Sequence, residues 1–223
     1  MTVSRAKKKI SKILVVDDHP IVCDGLARLI DATADLEVCG QATGAPEAVR
    51  KFENLQPDLL IIDISLEGVS GLELIKQIKA RDEGARMLVV SMHEESLYAE
   101  RVLRAGAMGY MNKHEAPTKI VGAIRQVLNG HVHVSDGVAD RMLHRVVRGE
   151  RAPDRPAIDS LSDRELEVFQ LIGRGLSTRE VAETLHLSKK TVESYREQIK
   201  LKLNLKTGTE LVRHAIRWQV ETE

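Results

Sequence analysis

The sequence predicts an α/β domain on a five-stranded parallel sheet, followed by a linker and a small all-α domain. Three observations carry this. Residues 12–130 alternate short apolar runs with segments of helical periodicity, the pattern of successive βαβ units. The apolar runs are nearly continuous rather than alternating, as in strands covered on both faces. After residue 160 every segment has helical periodicity and short connections.

Five strands are read in order: KILVVD (12–17), LEVCGQA (36–42), PDLLIID (57–63), RMLVVS (86–91) and MGYMN (108–112). Between them, Leu26, Leu29 and Ile30 share one helical face, and so do Leu72, Ile75 and Ile78. Val102 and Leu103 begin another, and Ile120, Ile124 and Leu128 mark the last. In residues 131–160 one helix is expected, with Ser135 as N-cap and Val138, Met142, Leu143 and Val146 as its apolar side. RGERAPDRP, with a glycine, two prolines and five charges, reads as linker. From 161 to 223 four amphipathic runs follow. Ser162 with Glu165 and Ser177 with Glu180 have capping-box spacing, Ser188 caps the third run, and Gly175 ends the first.

The chain of 223 residues carries 33 basic and 33 acidic side chains. The balance holds in pieces: 17 and 18 in residues 1–130, 5 and 5 in 131–160, 11 and 10 in 161–223. Bulk charge therefore favours no nucleic-acid partner, and any basic surface must be local. The two cysteines, Cys23 and Cys39, lie among apolar residues and read as free thiols in a reducing compartment. The basic start MTVSRAKKKISK lacks the apolar run of a signal peptide, and no stretch approaches 18 apolar residues. A cytoplasmic protein without a membrane span is expected.

Asp17 and Asp18 end the first strand, and Asp63 ends the third. In the flavodoxin-like strand order 2-1-3-4-5, strands 1 and 3 are neighbours at the switch point, where ligands bind beyond the carboxyl ends. The three carboxylates then converge. Oxygen ligands alone suit a hard cation such as Mg²⁺, which keeps waters and shares its site with phosphate. The plain alternative for Asp18 is that it opens the next helix beside Pro20. Ser91 ends strand 4 and Lys113 follows strand 5, a hydroxyl and an ammonium at the same edge, suited to a phosphoryl group.

VDDHP, LLIID, SMHEE and AGAMGYMNK resemble the motifs of response-regulator receiver domains, in order and at receiver spacing over residues 12–128. The resemblance implies Asp63 as phosphoacceptor. It implies Mg²⁺ held by Asp17, Asp18, the Asp63 carboxylate and the backbone carbonyl of Ser65. It further implies Ser91 as switch hydroxyl, Tyr110 as switch aromatic and Lys113 as phosphate-pairing lysine. Receivers usually carry Pro four residues after the acceptor; Glu67 stands there, so the loop SLEGVSG is expected to be more mobile and more acidic. Ser91 replaces the commoner Thr. Ser65 and His93 fall where receivers tune dephosphorylation.

STREVAETLHLSKKTVESYREQIKLKL contains a helix (about 177–185), a turn at His186–Leu187 and a second helix (about 188–203), a helix-turn-helix candidate. Val192, Tyr195, Ile199 and Leu203 are expected to face inward. Lys189, Lys190, Glu193, Ser194, Glu197 and Lys200 are expected to face out, beside Thr191. Residues 188–206 hold six basic and two acidic side chains, a modest phosphate-binding footprint. On charge alone a small helical bundle with a solvated charged face is the better reading. Residues 161–220 resemble the LuxR-type helix-turn-helix of NarL/FixJ response regulators, carried by LSDRELEVFQLIGRGLSTREVAETLHLSKKTVESY. That resemblance implies a recognition helix in the major groove and a last helix, GTELVRHAIRWQV, that pairs two copies on DNA. Leu211, Val212, Ala215 and Ile216 are the dimer candidates, with ordinary core packing accounting for some of them. Tyr195 replaces the family's common His, and Glu193 stands where many members present Lys, so operators do not transfer from relatives.

The whole reads as a receiver domain (12–130), a linker with one helix (131–160) and a LuxR-type DNA-binding domain (161–223). It is expected to regulate transcription after a sensor histidine kinase phosphorylates Asp63, with Ser91 and Tyr110 drawn toward the phosphate. Homodimers on inverted-repeat DNA are the expected active form. It is read as no turnover enzyme: a haloacid-dehalogenase-type phosphatase needs a second Asp two residues after the nucleophile, where Ser65 stands. The alternative is a decoy receiver that binds DNA without phosphorylation.

Overall fold

The computed structural model describes residues 10–148 and 157–222; of the linker read at 148–156, all but Arg148 lies outside them. The chain divides into two compact units, Met1–His144 and Arg145–Glu223, each described by itself.

In the first unit, β1 (Ser11–Val16), β2 (Leu36–Ala42), β3 (Leu59–Ile62), β4 (Met87–Ser91) and β5 (Gly109–Asn112) alternate with α1 (Pro20–Asp31), α2 (Ala45–Leu55), α3 (Gly71–Arg81), α4 (Glu95–Ala105) and α5 (Ala116–Leu128). The sheet order is β2-β1-β3-β4-β5 and all pairs are parallel. Right-handed crossovers need a helix between parallel strands, which is why the apolar runs and helical segments alternate in sequence. Ile13 to Val16 and Leu59 to Ile62 are all buried, so the two central strands have no polar face. One core layer joins Leu26 and Ile30 of α1 to Ile120, Ile124 and Val127 of α5 across Ile13, Val15, Ile61 and Leu88. Cys23 is buried and Cys39 half-buried, both as free thiols.

Beyond α5, residues 131–135 run along β5. His133 N donates to Met108 O at 3.0 Å, and Tyr110 N donates to His133 O at 2.8 Å. A side chain at Gly109 would stand 2.8 Å from the His133 carbonyl, so the approach needs glycine. The helix α6 (Asp136–Arg148) follows, with Ser135 Oγ accepting from Val138 N at 3.4 Å. Val138 is buried and Met142 half-buried, but Leu143 is 63% exposed, so the apolar stripe expected along α6 is only partly covered. The Val146 side chain lies outside the described ones.

The second unit holds a short 3₁₀ turn (Ala157–Ser160), α7 (Asp163–Gly173), α8 (Thr178–Thr184), α9 (Lys189–Lys202) and α10 (Gly208–Thr222). Both capping boxes form: Ser162 with Glu165, and Ser177 with Glu180. Ser188 accepts from Thr191 N. Gly175, at φ 88°, turns the chain out of α7. Phe169, Val181, Val192, Ile199, Leu211 and Ala215 form the core, with Trp218 edge-on to Phe169 at 5.6 Å.

Candidate functional site

The acidic site is built by strand ends. Asp17 N donates to Ala42 O and Asp63 N to Val16 O, which fixes the two carboxylates at the C-terminal edge of neighbouring strands. Asp17 is 2% and Asp63 3% exposed. Ligand atoms of Asp17, Asp18, His19 and Asp63 all lie within 4.8 Å of one another. His19 was not read from the sequence as part of this group; its place directly after the acid pair was the available signal.

Lys113 bridges the two buried acids, with Nζ 2.6 Å from Asp17 Oδ2 and 2.8 Å from Asp63 Oδ2. One ammonium thus serves two carboxylates, and negative charge is in excess. Burial raises the Asp17 pKa, and the charge of Asp63 raises it further, against the hydrogen bonds from Lys113 and the His19 N–H. Burial alone would lower Lys113; the carboxylates of Asp63 and Asp17 outweigh it and hold the ammonium protonated.

Two oxygens are buried without a hydrogen bond: Asp18 Oδ1 and Asp63 Oδ1. His19 Nδ1 stands 2.7 Å from the first. Buried anionic oxygens short of donors are costly, and a hard cation held by this group would offset that cost. The donor set therefore fits a divalent ion with oxygen ligands.

Around this cluster, Ser91 is fully buried at the end of β4, and Lys113 N donates to its carbonyl at 2.8 Å. Tyr110 is 1% exposed, and its hydroxyl donates to the His93 carbonyl at 2.6 Å. The ring lies inside, where burial and a carbonyl acceptor satisfy both of its ends. Ser65 Oγ lies 2.8 Å from His93 Nε2. The loop after β3 is tied at both ends without the proline: Leu66 is 3% exposed, and Ser70 caps α3 by accepting from Glu73 N. Glu67 is exposed.

In the second unit α8 and α9 are joined through His186, at φ 52°, with Leu187 N donating to Ala182 O at 2.8 Å. On α9, Val192 and Ile199 are buried, Tyr195 and Leu203 half-buried. Lys189, Lys190, Glu193, Ser194 and Glu197 are exposed; Thr191 is half-buried, its hydroxyl 2.7 Å from Ser188 Oγ. Two lysines are less available than their sequence positions suggest. Lys200 Nζ is 2.9 Å from Glu197, and Lys202 Nζ is 2.6 Å from the buried Glu165. On α10, Leu211 and Ala215 are fully buried in the unit's own core, the packing allowed for some of the dimer candidates: Ala215 packs so closely that a side chain at Gly173 would meet its carbonyl at 2.8 Å. Val212 is half-buried and Ile216 45% exposed.

Residues 13–125 match the response regulator receiver domain family. The chain is a response regulator. Residues 159–215 match the LuxR family of bacterial regulatory proteins. The response regulator UvrY of Escherichia coli K12 is 34% identical over 92% of this chain and 93% of its own. The response regulator GacA of Pseudomonas aeruginosa is 33% identical over 92% of this chain and 95% of its own. RcsB of Salmonella enterica serovar Typhimurium, bound to a promoter in the presence of a phosphomimetic, superimposes with TM-score 0.60 at 25% identity over 92% of this chain and 98% of that one. This response regulator therefore joins a receiver domain to a LuxR-type DNA-binding domain and is a transcriptional regulator of the two-component type.

Proposed function

We propose that Asp63 is the phosphoacceptor and that a sensor histidine kinase is the donor. The observation that carries this is the asymmetry of the Asp63 carboxylate: Lys113 holds Oδ2, while Oδ1 has no hydrogen bond. Oδ1, engaged by no hydrogen bond, is the oxygen that would form the bond to phosphorus. As that O–P bond forms, the P–N bond to the donor histidine breaks, and the imidazole nitrogen leaves with the electron pair. Oδ2 is then left as an acyl carbonyl oxygen, a weaker acceptor, and Lys113 has the phosphoryl oxygens to pair with. Asp17, Asp18, Asp63 and the Ser65 carbonyl are the residues that would hold Mg²⁺, which when bound supplies positive charge to the phosphoryl oxygens. The Ser91 hydroxyl is the donor at the same edge. An apolar hollow of about 350 Å³ beside the site, lined by Val22, Leu26, Met92 and Pro117, supports docking of the partner next to the acceptor. Among the described residues no helix is long and apolar enough to cross a membrane; the cytoplasmic place proposed for the protein rests on its match to a family of DNA-binding regulators.

The exposed face of α9, with Lys189, Lys190, Thr191, Glu193, Ser194, Glu197 and Lys200, is the proposed DNA reader for inverted-repeat sites. Ile216 and Val212 are the proposed contacts between two copies on activation. The protein is not a turnover enzyme on this reading: it accepts one phosphoryl group and loses it to water.

Intact-protein mass after incubation with Mg²⁺ and a small phosphodonor tests the acceptor. One phosphoryl group on the wild type and none on Asp63→Asn is expected; equal labelling of both overturns it. The second reading is DNA binding without phosphorylation, favoured by Tyr110 already lying inside. Equal operator affinity of wild type and Asp63→Asn, each with donor, would select it.

A further inference from the structure

We propose that Glu95 is a positioning residue that completes the N-terminal cap of α6 from another helix and so ties α4 to the interdomain segment. Two helices of the second unit show what a complete cap looks like here. In each, a serine side chain accepts from the third backbone N–H, and a glutamate at that third position accepts from the serine's own N–H. Helix α6 has only half of this arrangement within itself. Ser135 Oγ accepts from Val138 N, but the third position is Val138, which has no acceptor and is 4% exposed. The missing carboxylate comes from α4: Ser135 N donates to Glu95 Oε1 at 2.7 Å, across 40 residues of sequence.

The same short segment is held on its other side by β5. His133 N donates to Met108 O, and Tyr110 N donates to His133 O. Residues 131–135 are thus bonded both to the strand that carries Tyr110 and to the first turn of α4, just after the loop whose His93 carbonyl receives the Tyr110 hydroxyl. A shift of α4 against β5 cannot leave both attachments intact. Either the Glu95 carboxylate leaves Ser135, and the first turn of α6 loosens, or residues 131–135 move with it. Hydrogen bonds to charged groups are stronger than neutral ones, and a carboxylate at a helix N-terminus is further favoured by the helix dipole. The bond is therefore strong enough to matter to a helix of 13 residues.

The relay half of this inference rests on Asp63 being the acceptor; the cap half does not. The test is amide hydrogen exchange on the full chain, wild type beside Glu95→Ala and Glu95→Gln. Without donor, Glu95→Ala is expected to speed exchange across residues 135–139 by roughly tenfold or more, with α7 unchanged. Glu95→Gln, which keeps an acceptor without the charge, is expected to fall between. Exchange within twofold of wild type in Glu95→Ala would overturn the cap. With Mg²⁺ and phosphodonor, molecules carrying the adduct by mass are expected to change exchange at 135–139 in wild type and not in Glu95→Ala. A change kept in Glu95→Ala, or none in phosphorylated wild type, would overturn the relay. Absence of an adduct on wild type would instead sink Asp63 as acceptor and leave the donor-free comparison to decide the cap.

Discussion

Replacing Lys113 by Met removes the one ammonium that faces two buried carboxylates. In the wild type Nζ lies 2.6 Å from Asp17 and 2.8 Å from Asp63, and the three side chains are 12%, 2% and 3% exposed. Removing one partner of a buried ion pair leaves an uncompensated charge, at a cost of about 3–5 kcal/mol. Here two acids are left, so the loss is expected at the upper end of that range without a divalent cation at neutral pH. The pH dependence follows from Asp17. Its folded pKa is raised above 3.8, so the stability linked to its protonation is full below that value and is lost as pH rises through the folded pKa. Lys113→Met deepens that loss, since a lowering influence is gone. A cation bound by the same oxygens offsets it: at a hundred times its dissociation constant, about 2.7 kcal/mol returns. The assay is hydrogen exchange in β1 and β3 at several pH values, with and without Mg²⁺; fluorescence of the single Trp218, in the helical unit, serves as internal control. A loss under about 1 kcal/mol, or one that Mg²⁺ leaves unchanged, would refute the charge-excess account.

Glu165→Gln is expected to destabilise the helical unit by about 2–3 kcal/mol, read by Trp218 fluorescence in urea, because it weakens both the capping box and the bond from Lys202. Burial would raise Glu165, yet Lys202 and the Ser162 cap lower it below 4.5, so this stability is present above that value and is lost as pH falls through the folded pKa. Leu211→Ala is expected to cost about 2–5 kcal/mol by leaving a cavity, measured the same way. Ile216→Asp is expected to leave the urea midpoint within about 0.5 kcal/mol while weakening binding to a two-half-site DNA more than to a single half-site. Lys190→Ala is expected to reduce the slope of log affinity against log salt by about 1, measured by DNA titration at several salt concentrations.

The sheet and the acid cluster were legible for the same reason. Strand ends fix positions in a doubly wound sheet, so Asp17, Asp63, Ser91 and Lys113 could be placed at one edge from spacing alone. Caps were equally legible, since Ser162 and Ser177 act within four residues. What depends on tertiary placement was not. On α10 the periodicity that marks Leu211, Ala215 and Ile216 as apolar cannot say which face meets α7, and the two fully buried residues prove to be core. The ion pair of Lys202 with Glu165 spans 37 residues, so its lysine read as part of a basic face. HVHVS carries the alternation of a strand edge, but its partner β5 lies about 20 residues back and Glu95 about 40, and it read as linker.

Gly71 sits directly behind the acceptor. A Cβ there would fall 2.0 Å from the Asp63 carbonyl oxygen and 2.9 Å from the Ile64 Cα, both rigid backbone. No side chain can turn aside from such neighbours, so even alanine must push the peptide that carries Asp63. In a library of every substitution at every position, residue 71 should tolerate change as poorly as the acidic residues themselves, though it has no chemistry of its own. Laboratory evolution of signal specificity would then find its freedom in the exposed residues of this loop, such as Glu67, and none at its last step into α3.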